Sequence, residues 1–404
     1  CFGVPSPDGR SVALMVSRAG GSLAGSSTAM WLLDAETGET RRIGPRWRDC
    51  HLPGWGAGGA CWSPDGGELL LISRSMFELG VDTRAGWYSG VDEHLFRVSQ
   101  GTAVQTARWR HPVFHVSQGT AAQTAHERRL GTTGRWLGNG TRTVWTSEAW
   151  EFADGKTGKT TRCLHPRRND PVDGKWHDSA HQWLDRAIAT VALGSETEGA
   201  RTCHYWRTAP DLARTERRDY SLPAAMPTGR FHATFSKDEK WLLLERQNAT
   251  GQPLWLLSLV DGRCQPLLRK SFMFQRAFFT PDSGLLVIPS GERLHAWNLA
   301  EGRWEPGVGI ADFAKTHGWP EFYTASPGRP WRVALVYRAP MAVLVANLEE
   351  QTTTRADATP PFERYAYTAP AHWLGDDRLL ITSQRPARLW ILEADGSGGR
   401  QVLP

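Results

Sequence analysis

Ser6-Pro7-Asp8-Gly9 stands just ahead of an apolar run, Ser11 to Val16, and the same punctuation keeps returning along the chain. It recurs at Ser63 to Gly66 before Glu68 to Ile72, at Ser236 to Glu239 before Trp241 to Glu245, and at Thr280 to Gly284 before Leu285 to Ile288. Proline presets the first corner of a tight turn, aspartate bonds its own backbone two residues on, and glycine accepts a positive φ. Each occurrence therefore reads as strand, turn, strand. A second turn type, Glu36-Thr37-Gly38 or Asp395-Gly396, joins a further strand pair. The repeating unit is four strands, a to d, and eight units laid over 404 residues take about fifty residues each, a length that suits a propeller blade. The expectation is all-β: a single β-propeller over 1–404 with eight four-stranded blades, or seven if units three and four share strands. Blade one packs on blade eight with no exchanged strand.

Three stretches break the period. A loop insertion is expected at 75–93, between strands b and c of the second unit. Phe96 to Arg108 and Phe114 to His126 nearly duplicate one another at a spacing of eighteen, which is hairpin length rather than blade length, so an extra hairpin is expected at 109–129. Ile310, Phe313 and Ala314 fall at helical spacing, and a short helix between blades is expected at 309–317.

Composition bounds the function. Charged residues make up 22% of the chain and the mean hydropathy is −0.43, values of a globular protein rather than a disordered one. No apolar stretch reaches the eighteen or so residues of a membrane helix. Lysine and arginine exceed aspartate and glutamate by 47 − 42 = 5. The excess is scattered in short clusters such as Arg128-Arg129, Arg167-Arg168 and Arg217-Arg218; these read as solvated charge, and nucleic acid is not an expected partner. The six cysteines lack any Cys-x-x-Cys pair, so no zinc, redox pair or other cofactor is signalled. Cys61 and Cys264 read as small buried residues. Cys1 opens the sequence, as a lipidated cysteine opens mature bacterial lipoproteins, but Phe2 to Pro7 enters the first repeat at once. A processing boundary is expected there, with lipid anchoring the alternative and export to the periplasm or cell surface favoured.

Ser63-Pro64-Asp65-Gly66 with Leu69 to Ser73, and Leu389 to Gly396 running on to Leu403, resemble the WD40-like (PD40-type) repeats of TolB-type bacterial β-propellers. The resemblance is strong in units one, two, five, six and eight; units three, four and seven lack the turn sequence. It implies a fold and transfers no activity, because such propellers serve as docking platforms, ligand pockets and enzyme scaffolds. Gly-x-Ser-x-Gly is absent from the chain, so the serine-hydrolase elbow is not signalled.

Two candidate sites follow. With units aligned on the a to b turn, Arg135, His181, His232, Arg276 and His372 share one register near the inner start of strand a. They form a candidate electropositive channel mouth for an anion, an acidic saccharide or a partner's acidic loop. Oligogalacturonate-lyase-like propellers use channel histidines with a divalent metal, but their motif does not match here residue by residue. His177 and His181, four apart, are expected in an extended segment rather than on a helix. The second site is aromatic. Trp31, Trp241, Trp255, Trp297, Trp331 and Trp390 fall on strands b or c and are expected to fill the wedges between blades. Trp47, Trp55, Trp87, Trp109 and Trp319 fall in irregular or inserted segments and are candidate partner anchors. With no catalytic constellation evident, the reading is a non-enzymatic protein-docking or scaffold subunit of a larger bacterial assembly. The alternative is a channel-mouth site for an anionic ligand or saccharide, with a lyase-type enzyme as its extreme.

Overall fold

The computed structural model describes residues 2–18, 27–48, 60–76, 89–99, 102–113, 135–145, 149–154, 157, 159–164, 177–193, 201–227, 231–246, 254–267, 277–290, 292–318, 320–338, 341–356, 371–384 and 387–403. Their strands form four-stranded antiparallel sheets, each built from four strands consecutive in the chain, and eight such sheets are present. They span 2–48, 60–113, 135–164, 177–222, 231–266, 278–309, 320–356 and 372–403 and are numbered in that order. The first strands of sheets 1 and 2, 2 and 3, 4 and 5, 7 and 8, and 8 and 1 approach one another. Strand a thus faces the axis and strand d the rim, and the chain is an all-β propeller with four-stranded blades.

The turn motif explains why strands a and b fold back sharply. In sheet 1 the Ser6 hydroxyl donates to Asp8 Oδ1 at 2.6 Å and accepts the Ser11 N–H at 3.0 Å. Asp8 also accepts the Arg10 N–H at 3.1 Å, and Gly9 takes the left-handed conformation at φ 69°. One hydroxyl and one carboxylate thereby satisfy the donors that a tight corner strands. Ser63, Ser236 and Thr280 repeat the hydroxyl to carboxylate bond at 2.6, 2.7 and 2.6 Å. Where glycine is missing the same positive φ persists, 63° at Glu239 and 58° at Ser283. Glu239 is held there by Arg207 of the preceding sheet, whose Nε donates to its carboxylate at 2.7 Å.

Sheet 7 has no aspartate in its own turn. Asp376 of sheet 8 supplies one, accepting from the Ser326 hydroxyl at 2.5 Å and the Gly328 N–H at 2.7 Å.

Apolar clusters fill the wedges. One joins Ala13, Met30 and Leu32 of sheet 1 to Trp62, Leu69 and Phe96 of sheet 2. Another closes the ring, setting Val12, Leu14 and Leu33 against Leu374, Leu380 and Ile391 of sheet 8. Five of the six wedge tryptophans expected on strands b and c lie there, and Trp331 falls just before strand b of sheet 7. Trp255 and Trp390 are buried, and Trp31, Trp241, Trp297 and Trp331 pack at the edges of clusters. A further set ends strand a. Trp62 Nε1 donates to Val4 O and Trp373 Nε1 to Thr324 O, both at 2.9 Å, each reaching the preceding sheet.

The departures from the repeat resolve differently. At 75–93, Ser75 and Met76 extend strand b and Ser89 to Glu93 belong to strand c, paired as far as Met76↔Ser89; residues 77–88 lie outside the described set. Within 109–129, Trp109 to Val113 continue the outer strand Thr102–Val113, and the remainder lies outside the described residues. The first near-duplicate copy forms a hairpin inside sheet 2, pairing Ser99 with Thr102, and most of the second copy, the one expected as an extra hairpin, lies outside the described residues. The helix is α1, Ala311–His317; Gly309 still belongs to the outer strand of sheet 6. His177 and His181 lie on one strand. Cys163 and Cys203 are buried and Cys264 half-buried, all three as free thiols.

Candidate functional site

The four described channel-mouth residues, Arg135, His181, His232 and His372, lie on strand a of their sheets, but the backbone does not hold them in one register. The bonds Ser6 N–H to Ser11 O, Leu137 N–H to Thr141 O and Leu184 N–H to Ala187 O mark equivalent turn positions. His232 lies four residues before Ser236, and His181 three before Leu184. Arg135 lies two residues before Leu137. Trp373 is the counterpart of Trp62, so His372, next to it, is also two residues from its turn. The expected offset of four residues holds for His232 and is corrected for Arg135, His181 and His372, because the turns of sheets 3, 4 and 8 begin earlier than their sequences suggest. Two residues of strand amount to about 7 Å along the axis. Arg276 lies outside the described residues.

His372 also departs in charge. Its ring Nε2 is shut off from solvent, and burial pushes its pKa down to about 4, since a low-dielectric site penalises the imidazolium. It is neutral at neutral pH and adds nothing to an electropositive mouth. His232 is half-buried, its backbone opposite Glu245. Among the described residues no three His, Cys, Asp or Glu side chains converge as a metal site.

Of the candidate anchor tryptophans, Trp47 and Trp109 lie on regular strands rather than in irregular segments. Trp47 is on the outer strand Thr40–Arg48, opposite Thr28; Trp109 is on the outer strand of sheet 2, opposite Glu93. These two outer strands pack side by side at the rim. Trp55, Trp87 and Trp319 lie outside the described residues.

Sheet 2 is the longest blade. Its strands b, c and d run 9, 11 and 12 residues, and the ladder between b and c holds its pairing from Glu68↔Arg97 to Met76↔Ser89. At about 3.3 Å per residue strand b spans roughly 30 Å from end to end, against about 20 Å for an ordinary strand, and strands b to d together make the long arm of sheet 2.

A second rim feature lies between sheets 4 and 5. The outer strand Glu216–Leu222 and the turn Ser258 to Arg263 border an open groove of about 450 Å³. Tyr220 O–H donates to Leu259 O at 2.8 Å and fixes the floor. Val260 stands 74% exposed on the turn. Asp219 is bound by both arms of Arg217, at 2.8 and 2.9 Å, and lies 2.8 Å from His204 Nδ1. Partial burial opposes ionisation there, yet the Arg217 and His204 hydrogen bonds hold the carboxyl below the usual range. The Ser258 hydroxyl and the Arg263 backbone and guanidinium hold Asp261 at about 2. Arg218 is exposed beside Tyr220 and meets no carboxylate among the described residues. Sequence reasoning passed over this groove: Arg217-Arg218 reads as solvated charge, and nothing in the sequence sets Val260 beside it.

No family model matches the chain, and no curated protein matches it. Solved structures that resemble it are propellers at very low identity. Kluyveromyces lactis Hsv2 is 9% identical, with 85% of this chain and 96% of that one covered at a TM-score of 0.44. The Pyrococcus horikoshii acylaminoacyl peptidase is 11% identical over 98% of this chain, at a TM-score of 0.44; the match spans 51% of the peptidase. TolB from Acinetobacter baumannii is 13% identical, covering 81% of this chain and 78% of that one at a TM-score of 0.34.

Proposed function

We propose that the chain is a non-enzymatic docking scaffold in a larger bacterial assembly, a closed ring of eight blades from which sheet 2 projects toward a partner protein. The observation that carries this reading is the arm of sheet 2, whose ladder continues to Met76↔Ser89. Long antiparallel strands extend a rigid surface beyond a scaffold at little entropic cost, because each added pair is held by its neighbours. Residues 77–88 and Trp109 belong to that arm or to the segment it carries, which makes them the first partner-facing candidates; Trp47, Trp55, Trp87 and Trp319 remain the wider set. A seven-blade ring in a low-resolution map would overturn the blade count and leave the docking reading untouched.

The direct test replaces 77–88 by an Asn-Gly turn joining Met76 to Ser89, a connection suited to a two-residue hairpin. The circular dichroism and melting midpoint should stay within a few degrees of the parent, and co-purification of the partner should be lost. Unchanged co-purification would remove the arm from the interface. The competing reading places an anionic saccharide at Arg135, His181, His232, Arg276 and His372. Stoichiometric divalent metal in the purified chain, or saturable binding of an oligogalacturonate lost on His181→Ala and His232→Ala, would favour it. The neutral His372 weakens it.

A further inference from the structure

The outer strand of a blade has a sheet partner on one side only, and such edges invite pairing unless they are covered or blunted. In this molecule the blunting is uneven. Proline, which cannot donate to a ladder, interrupts the outer strands of sheets 1, 2, 5 and 6 at Pro45, Pro112, Pro266 and Pro306. The outer strand of sheet 3 is capped at Leu164 by a parallel bridge to Arg214, with Thr215 N–H donating to Leu164 O at 3.2 Å. Sheets 4, 7 and 8 are left. Among the described residues their outer strands run 7, 5 and 5 residues, so Glu216–Leu222 is the longest of the three.

That edge also borders the groove, and its charges are selective. Asp219 is neutralised by Arg217, and Asp261 by Arg263 at 2.6 Å. Arg218 alone on this strand and turn is a cation without a carboxylate among the described residues. Val260 adds an apolar knob alongside it. We propose that Glu216–Leu222 is a strand-addition site: an extended segment of a partner protein pairs with this edge as a fifth strand, sets a carboxylate on Arg218 and covers Val260 with an apolar side chain. Main-chain bonds supply affinity in this mode, and alternate side chains supply choice. The unmatched arginine commits the occupant to an acidic segment. The inference rests on the docking reading but on a different surface from the sheet 2 arm.

The probe is a fluorescein-labelled eight-residue peptide of alternating threonine and valine with one central glutamate, titrated into the full chain by anisotropy. Saturable binding is expected, weakened at least tenfold when the glutamate becomes lysine, and likewise on Arg218→Glu or Val260→Asp. The lysine peptide should recover binding on the Arg218→Glu protein. Methylating alternate peptide amides should abolish binding, and bound peptide should slow hydrogen exchange at 216–222 at least tenfold. Both substituted residues are exposed, so an unchanged melting midpoint checks the fold. The proposal fails if binding does not saturate, if it survives Arg218→Glu, or if 216–222 gain no protection. It fails equally if sedimentation shows a dimer that Arg218→Glu disperses, which would give the edge to a second copy of this chain. Peptide failure with co-purification still dependent on 77–88 would sink the edge and leave the docking reading standing; the reverse pattern would do the opposite.

Discussion

His372 carries a pH dependence that the fold must obey. Its folded pKa, about 4 through burial, lies below the ordinary value near 6.5. The unfolded chain therefore takes up a proton between those values that the native state refuses, so stability present above about pH 6.5 falls steadily as pH drops toward 4. The difference amounts to roughly 3 kcal/mol across that window. An NMR titration should show the His372 ring neutral down to about pH 4, and His372→Gln should flatten the urea midpoint between pH 6.5 and 4. A ring titrating near 6.5 would contradict its burial. Asp376 acts in a different window. Partial burial raises its pKa, but the Ser326 hydroxyl and the Gly328 N–H outweigh that and keep it below the usual carboxylate range. Its contribution is present above about pH 4 and is lost as pH falls through the lower folded value. Asp376→Asn should cost about 2 kcal/mol at pH 7, in line with hydrogen bonds to a charged group, while Asp8→Asn, a change confined to one turn, should leave sheet 7 untouched. Equal protection of the Gly328 amide in parent and Asp376→Asn would count against the shared carboxylate.

At the scale of strands and turns, the tryptophans that end strand a act as spokes. Trp373→Phe keeps most of the apolar area but strands Thr324 O, which now accepts at 2.9 Å. A loss of about 1–2 kcal/mol is expected by chemical denaturation, with exchange speeding up first between sheets 7 and 8. The strands themselves were legible from the sequence because Ser-Pro-Asp-Gly is a local device: its hydroxyl, carboxylate and glycine meet within six residues, Ser6 to Ser11. Sheets 3, 4 and 7 show the limit. Their turns rest on Leu137 and Leu184, or on a carboxylate fifty residues away at Asp376, and a device spread over two blades leaves no local pattern. The earlier start of the turns in sheets 3, 4 and 8 likewise moved Arg135, His181 and His372 out of the register expected for them. Trp47 and Trp109 were misread for a related reason, since strands that run beyond the common blade length look irregular when scored against the repeat.

At the scale of the whole molecule, the seam between sheets 1 and 8 joins two sheets that among the described residues are each built from their own four strands, and it depends on close approach. Arg378 donates to Ala35 O at 3.2 Å and Arg400 to Glu36 O at 2.5 Å, while a Cβ on Gly9 would lie 2.3 Å from Gly375 N. Gly9→Ala should therefore cost at least about 2 kcal/mol, through a clash with backbone as well as its positive φ. Gly140→Ala is the control: φ is 84° but nothing lies within 4 Å, so only the backbone term, about 1 kcal/mol, should appear in its unfolding curve. Comparable losses at the two glycines would mean that the seam tolerates separation. The carboxylate that sheet 7 borrows from sheet 8 reaches further still, into how such a ring could be rearranged. A blade whose turn is closed by its own hydroxyl and carboxylate, as in sheets 1 and 2, carries that device with it wherever it is duplicated or transplanted. Blade 7 does not: moved without blade 8, it would arrive with its serine hydroxyl and glycine amide facing a foreign turn, so heredity has to handle the two as one piece.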